Sequence, residues 1–233
     1  MDRDVPRRAV IAALCASALL PGNAAAADSS EFWPELSAFI GLTPATRLYL
    51  DASYARGEDF RSLDLSGFVD ISIKPILRAE LRTDDWQRKR YLWARLGYTR
   101  VLKAEDGRST HVAEDRAVVS GYARAELPAE MWLEARARAD LRWMQGDYST
   151  RYRLRLEINR EFMLLEHAVV PYFNAEAFYD TRFDGWARAL YQAGAEVTVN
   201  PRFRYEIFLA SQIDRLPQRA TIGALGLVAK WYY

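Results

Sequence analysis

Three shortages narrow the reading before any pattern is sought. The chain holds one cysteine, Cys15, and two histidines, His111 and His167. It has no uninterrupted apolar run of about 20 residues, the length a transmembrane helix needs, so a helical membrane protein is excluded. It also lacks a surplus of either charge, since 32 basic and 31 acidic residues leave a formal net charge of +1. A nucleic-acid partner ordinarily draws a basic excess, so no nucleic acid is expected as a partner.

The cysteine lies in a segment that reads as a targeting signal. Arg7 and Arg8 supply a positive start, and Ala9 to Leu20 an apolar core too short to span a bilayer comfortably. Pro21-Gly-Asn23 then interrupts it, and Ala25 and Ala27 occupy the two positions of a small-x-small cleavage site. Leu14 before Cys15 stands where a lipoprotein signal needs a small residue. Residues 1–27 are therefore expected to be a cleaved signal peptide, leaving 28–233 as one domain that starts at Asp28. Without Cys15, that domain has no disulfide, no thiol nucleophile and no cysteine-ligated metal.

Half of the residues are hydrophobic and 27% are charged, and the two kinds alternate. From Met131 to Trp143, the odd positions Met131, Leu133, Ala135, Ala137, Ala139, Leu141 and Trp143 share one face of a strand. Trp132, Glu134, Arg136, Arg138, Asp140 and Arg142 share the other. Such a strand is far longer than the five or six residues usual in soluble sheets. Arg151, Arg153, Arg155, Glu157 and Asn159 alternate in the same way with Tyr152, Leu154, Leu156 and Ile158.

Further segments of this kind are 32–42, 47–56, 63–73, 91–101, 117–127, 169–180, 187–199, 203–213 and 221–233, separated by turns such as Thr43-Pro44, Pro128-Ala129 and Asn200-Pro201. Segments of about ten residues with one apolar and one polar face predict an outer-membrane β-barrel, because at bilayer depth only a closed sheet pairs every backbone group. Tyr98, Trp143, Tyr152, Tyr179, Tyr205, Trp231 and Tyr233 stand near strand ends, where interfacial girdles belong. Such a barrel sits in a Gram-negative outer membrane. The competing architecture is a soluble periplasmic barrel whose apolar face fills a core.

These segments number eleven, whereas single-chain bacterial barrels usually carry an even number of strands. Ile76–Thr83 is taken as the twelfth, giving an antiparallel barrel of about 12 strands, with 11 or 10 as alternatives. The stretch from Pro75 to Arg90 also reads as a short amphipathic helix opened by a proline. The final strand, Leu225-Gly-Leu-Val-Ala-Lys-Trp-Tyr-Tyr233, ends in aromatics, and Trp231 and Tyr233 are assigned as the signal that barrel-assembly machinery reads.

Several phrases carry a family resemblance: Glu31-Phe-Trp-Pro-Glu35, Arg90-Tyr-Leu-Trp-Ala-Arg-Leu-Gly-Tyr98, Asp140-Leu-Arg-Trp143 with Gly146-Asp147 and Arg151-Tyr-Arg153, Ala175 to Trp186, and Tyr191-Gln-Ala-Gly194. They resemble the bacterial family catalogued as domain of unknown function 2490 over essentially the whole exported chain. The resemblance implies an outer-membrane barrel and supplies no activity.

Candidate chemistry is thin. Ser109 lies two residues from His111, a spacing in a polar loop that makes no hydrolase triad. Asp106, His111 and Glu114 could in principle meet a metal, but solvated loop residues are the plainer account. His167 stands at a turn. No catalytic, cofactor or metal residue is assigned, and the chain is expected not to be an enzyme, with an outer-membrane lipid hydrolase as the alternative. In the loop from Phe178 to Trp186, Asp180, Arg182, Asp184 and Trp186 read either as a ligand site for lipopolysaccharide phosphates or as a loop held by Asp–Arg pairs.

The richest set faces the predicted lumen. Arg136, Arg138, Arg142, Arg151, Arg153 and Arg155 share it with Glu134, Asp140, Glu157, Glu176, Asp180, Glu196 and Glu206. Two readings stay open: a salt-bridged plug in a structural or surface-interaction barrel, or an arginine-lined pathway for small anionic solutes. Outer-membrane lipid, lipopolysaccharide and the assembly machinery are the expected partners, with a small-molecule solute if the lumen is open.

Overall fold

A computed structural model describes residues 28–58, 60–73, 91–105 and 112–233. The chain forms β1 (Ser29–Thr43), β2 (Thr46–Arg56), β3 (Phe60–Ser72), β4 (Leu92–Glu105), β5 (Val112–Leu127), β6 (Met131–Met144), β7 (Asp147–Arg160), β8 (Phe162–Leu164), β9 (His167–Asp180), β10 (Gly185–Asn200), β11 (Phe203–Asp214) and β12 (Ala220–Tyr232). Eleven of them close a ring in which β7 passes to β9, and β8 pairs with β9 alone. Each of the eleven alternating segments is one of these ring strands. The twelfth strand is β8, a continuation of β7 beyond Glu161, while Ile76–Thr83 lies outside the described residues, as do residues 1–27.

One expectation changes. An odd ring sends its first and last strands in the same direction, so the barrel is not antiparallel throughout. β1 pairs with β12 in parallel, from Ser29 opposite Ile222 to Phe39 opposite Tyr232, and every other neighbour in the ring is antiparallel. β1 therefore begins at one rim, here the leading rim, and β12 ends at the other, the trailing rim. Parallel pairing is slightly weaker per residue, and aromatic stacking reinforces this seam. Tyr232 stacks on Phe39 at 4.8 Å, Phe39 on Tyr49 at 4.6 Å and Tyr49 on Phe68 at 5.4 Å, a column that crosses β12, β1, β2 and β3. Backbone bonds fasten both ends: Asp28 N–H donates to the Thr221 carbonyl at 2.7 Å, and Tyr233 and Phe39 meet at 2.8 Å.

The faces are inverted relative to a soluble barrel. Leu50, Leu65, Leu96, Leu154, Leu156 and Ile207 are exposed on the outside, whereas Arg47, Asp70, Glu114, Asp140, Arg142 and Asp180 are buried inside. An apolar surface on this scale belongs in lipid, and water would not support it. Outward aromatics gather at both rims. Trp143 packs on Tyr148 and Tyr179 on Trp186 at the leading rim, and Phe203 packs on Trp231 at the trailing one. Tyr98, Tyr152 and Tyr205 are also exposed, while the C-terminal Tyr233 contributes backbone bonds to the seam more than ring packing.

Local chemistry explains two tight points. Gly146, at φ +95, takes the second place of a two-residue turn after Gln145 at φ +53, which the twist of a hairpin favours. Gly226 leaves room for the Phe208 ring, which a Cβ there would strike. The β8–β9 turn has no glycine, and Leu165 and Glu166 stand at φ +48 and +71.

Deleting Trp231 to Tyr233 would remove the last pair of the aromatic column and the final seam bonds. The shortened chain is expected to lose the altered gel migration of an unheated barrel and to be degraded. Wild-type amounts of folded protein would show that the seam closes without them.

Candidate functional site

The interior charges are arranged by strand register. Across β6 and β7, Glu134 stands opposite Glu157, Arg136 opposite Arg155 and Arg138 opposite Arg153. Like charges directly opposite are destabilising, so each side chain turns to a diagonal neighbour or to a further strand. Arg136 passes β7 and donates to Glu176 on β9 at 2.6 Å, and Arg153 donates to the same carboxylate at 2.7 and 3.0 Å. Arg138 turns along its own strand to Asp140 at 2.5 Å, with Arg153 at 3.8 Å from the second oxygen. Arg155 lies between Glu134 at 3.4 Å and Glu157 at 3.7 Å.

Toward the leading rim the pairing tightens. Glu114 and Asp180 have fully buried side chains and Arg142 is 2% exposed. The Arg142 guanidinium spans both carboxylates, through Nε to Glu114 and Nη1 to Asp180 at 2.6 Å. Glu114 also receives Arg116 at 2.7 Å and Lys103 at 3.4 Å, and Asp180 receives Arg151 at 3.0 Å. Asp180 does a second task, because its other oxygen accepts the backbone N–H of Arg182 at 3.0 Å. The lumen network thereby fixes the turn between β9 and β10.

Two further clusters fill the rest. Lys230 reaches Glu196 at 2.7 Å and Glu206 at 2.5 Å, joined by Arg204 and by the Tyr172 hydroxyl. Arg47 and Arg95 share Asp70 at 2.8 and 2.6 Å while lying over the Phe39 and Tyr49 rings. Ser37 joins Glu35 at 2.9 Å to Asp51 at 3.1 Å, with the Tyr49 hydroxyl also on Asp51. Trp93 stacks on Tyr122 at 4.5 Å, and Arg153 lies over Phe178 at 4.6 Å.

The inward charges of β6, β7 and β9 fall into three groups of ion pairs: Arg142 and Arg151 on Asp180, Arg136, Arg138 and Arg153 on Glu176 and Asp140, and Arg155 between Glu134 and Glu157. Glu114 is not the solvated loop residue that the sequence suggested. It is an inward residue of β5 whose carboxylate is saturated by cations, so it offers no free ligand to a metal. Asp106, Ser109 and His111 lie outside the described residues. His167 sits at a strand end with Nδ1 at 3.1 Å from the Thr198 carbonyl. In the turn after β9, Asp180 pairs with Arg142 and Arg151, leaving the Arg182 guanidinium on the Ser149 hydroxyl at 3.2 Å, and Tyr179 donates to Asp184 at 2.5 Å.

The sequence reading missed Lys103, Arg116, and the Arg47–Asp70–Arg95 and Ser37 clusters. Extending the alternation of β5 two pairs before Ala117 would have placed Glu114 and Arg116 inside. The shared carboxylates, in contrast, depend on register between strands.

Removing one member of a buried ion pair leaves its partners uncompensated, at a cost of about 3–5 kcal/mol. Arg142→Leu is expected to lower unfolding stability in urea by roughly that amount. Ala137→Arg, on the lipid side of the same strand, is expected to cost about 2–4 kcal/mol. Unfolding of Arg142→Leu at wild-type urea concentration would mean that the pair contributes nothing to stability.

Comparison with known proteins yields a family. The β domain of the Bordetella autotransporter BrkA is similar over 78% of this chain and 82% of its own, with 16% identity and a TM-score of 0.49. LpxR from Salmonella typhimurium is similar over 79% and 83%, with 9% identity and a TM-score of 0.47. No curated protein matches. Residues 30–222 match the family model described as "Protein of unknown function (DUF2490)", and the chain belongs to that family.

Proposed function

We propose that the protein is an exported outer-membrane barrel, released from a signal peptide after Ala27, whose lumen is a plug of its own ion pairs and whose role is structural or interactive at the cell surface. The supporting observation is Arg142, almost wholly buried between two carboxylates that are themselves sealed from solvent. A pathway for anions needs arginines that present donors to water. Here Arg136, Arg138 and Arg153 have side chains 10–18% exposed, and each is committed to Asp140 or Glu176. An ion entering this lumen would have to displace several charge-assisted bonds at once. The outward face then meets outer-membrane lipid and lipopolysaccharide, and the C-terminal strand meets the assembly machinery.

Reconstitution in a planar bilayer tests the reading. The wild-type barrel is expected to show no steady conductance, and Arg138→Ala combined with Arg153→Ala to introduce a leak while lowering stability. A steady anion-selective current through the wild-type protein would overturn the plug in favour of a pathway.

A further inference from the structure

The apolar outer wall continues past the level where the ring ends. β6 begins at Met131, opposite Arg160, so beyond that level the β7 side has no neighbour among the described strands. β8 continues β7 in unbroken register: Asn159 stands opposite Tyr172, and three residues on, Phe162 stands opposite Val169. Alternation therefore carries the outward face of Leu154, Leu156 and Ile158 through Arg160 to Phe162 and Leu164. On β9 the same face holds Phe173, Pro171 and Val169. β10 flanks β9 as far as Val197 opposite Val169, and His167 Nδ1 lies 3.1 Å from the Thr198 carbonyl. The extension is thus a piece of wall braced on one side.

Its end exposes three large apolar side chains in a row. Met163, Leu164 and Leu165 are 69%, 60% and 87% exposed. The other described turns of this rim, Pro44-Ala45, Pro128-Ala129-Glu130 and Pro201-Arg202, carry no large apolar side chain. Leu165 and Glu166 also stand at φ +48 and +71, angles that glycine or asparagine adopts with less strain. A leucine held there recovers little from contacts within this chain, so its apolar surface is left for something outside it. Arg160 lies on the same face, its guanidinium over the Phe162 ring at 4.7 Å and 3.7 Å from Glu130. Aromatic and aliphatic side chains with a single arginine among them are the composition of a bilayer interface. The two acids nearby stay in water, Glu161 exposed on the inward face and Glu166 exposed at the tip.

We infer that the β8–β9 extension is an interfacial anchor seated on the lipid surface at the trailing rim, with Phe162, Leu164 and Leu165 entering the leaflet and Arg160 among the headgroups. Continuity favours lipid over a protein partner. The apolar face of the extension runs into the outer wall with only Arg160 between Ile158 and Phe162, so the medium that covers the wall also covers the extension. The inference rests on that wall facing lipid, and it is independent of whether the lumen conducts.

The test places spin labels on the full chain carrying Cys15→Ser, which leaves no other cysteine, reconstituted in phosphatidylcholine vesicles. Labels go at Leu165→Cys, at Leu154→Cys on the wall, and at Arg202→Cys, exposed on another turn of the same rim. Collisions with oxygen, which partitions into lipid, are compared with collisions with a water-soluble nickel chelate. The Leu165 label is expected to collide more with oxygen and less with nickel than the Arg202 label, approaching the Leu154 label. A label at Glu166→Cys should gain nickel collisions when Leu164→Asp and Leu165→Asp are added, because charge expels the tip from the leaflet. Heat-modifiable migration checks that each variant is folded. The anchor is overturned by a Leu165 label that matches the Arg202 label, by one shielded from both reagents as at a protein contact, or by a Glu166 label that the two aspartates leave unchanged. In each of these outcomes an oxygen-rich Leu154 label keeps the lipid-facing wall intact, whereas a Leu154 label that meets the chelate removes the wall and the anchor together.

Discussion

Backbone hydrogen bonding at bilayer depth is the constraint from which the rest of this structure follows. With no water to satisfy an open strand edge, the sheet must close, and it closes here with eleven strands. The odd number makes β1 and β12 run parallel at the only ring pairing of that kind among the described strands. The aromatic column from Tyr232 through Phe39 and Tyr49 to Phe68 lies across that seam. Arg47 and Arg95 lie on its rings while they hold Asp70. The least favourable pairing in the ring is thus backed by stacking and by cation–π contacts, which gain strength where water is absent.

Closure also creates an interior, and the sequence supplies it with charge. Burial of so many ions is tolerable only when each finds an opposite partner with good geometry. Register across β6 and β7 sets like against like at three successive inward positions. The network therefore extends sideways over four strands, β5, β6, β7 and β9, and no single hairpin contains it. Ion pairs arranged this way link β6 to β9, strands that are not neighbours in the ring.

Asp180 connects the interior to the surface. Asp180 pairs with Arg142 and Arg151 and also accepts the Arg182 backbone N–H. The turn that carries Arg182 and Asp184, and leads into Trp186, is therefore set by buried charge. The β8–β9 extension contrasts with it. Leu165, 87% exposed, and Glu166 adopt left-handed backbone angles without a glycine, and β8 has no strand on its outer edge in the described sheet.

By itself the sequence determined the strands and their faces, because period-two alternation is a property of the chain and each of the eleven ring strands carries it. Inward placement of Arg138, Arg153 and Glu176, and outward placement of Ala137 and Leu154, follow from that periodicity alone. The tertiary structure decided what depends on how strands meet. The ring order excludes β8 although it is a strand. The odd count produces a parallel seam, and Tyr232 closes the aromatic column beside the two terminal aromatics that the sequence pointed to. It also turned Glu114 from a loop carboxylate into the buried partner of three cations. Which arginine takes which carboxylate depends on inter-strand register, and register is fixed by closure of the whole sheet and by turn geometry, which no single segment encodes.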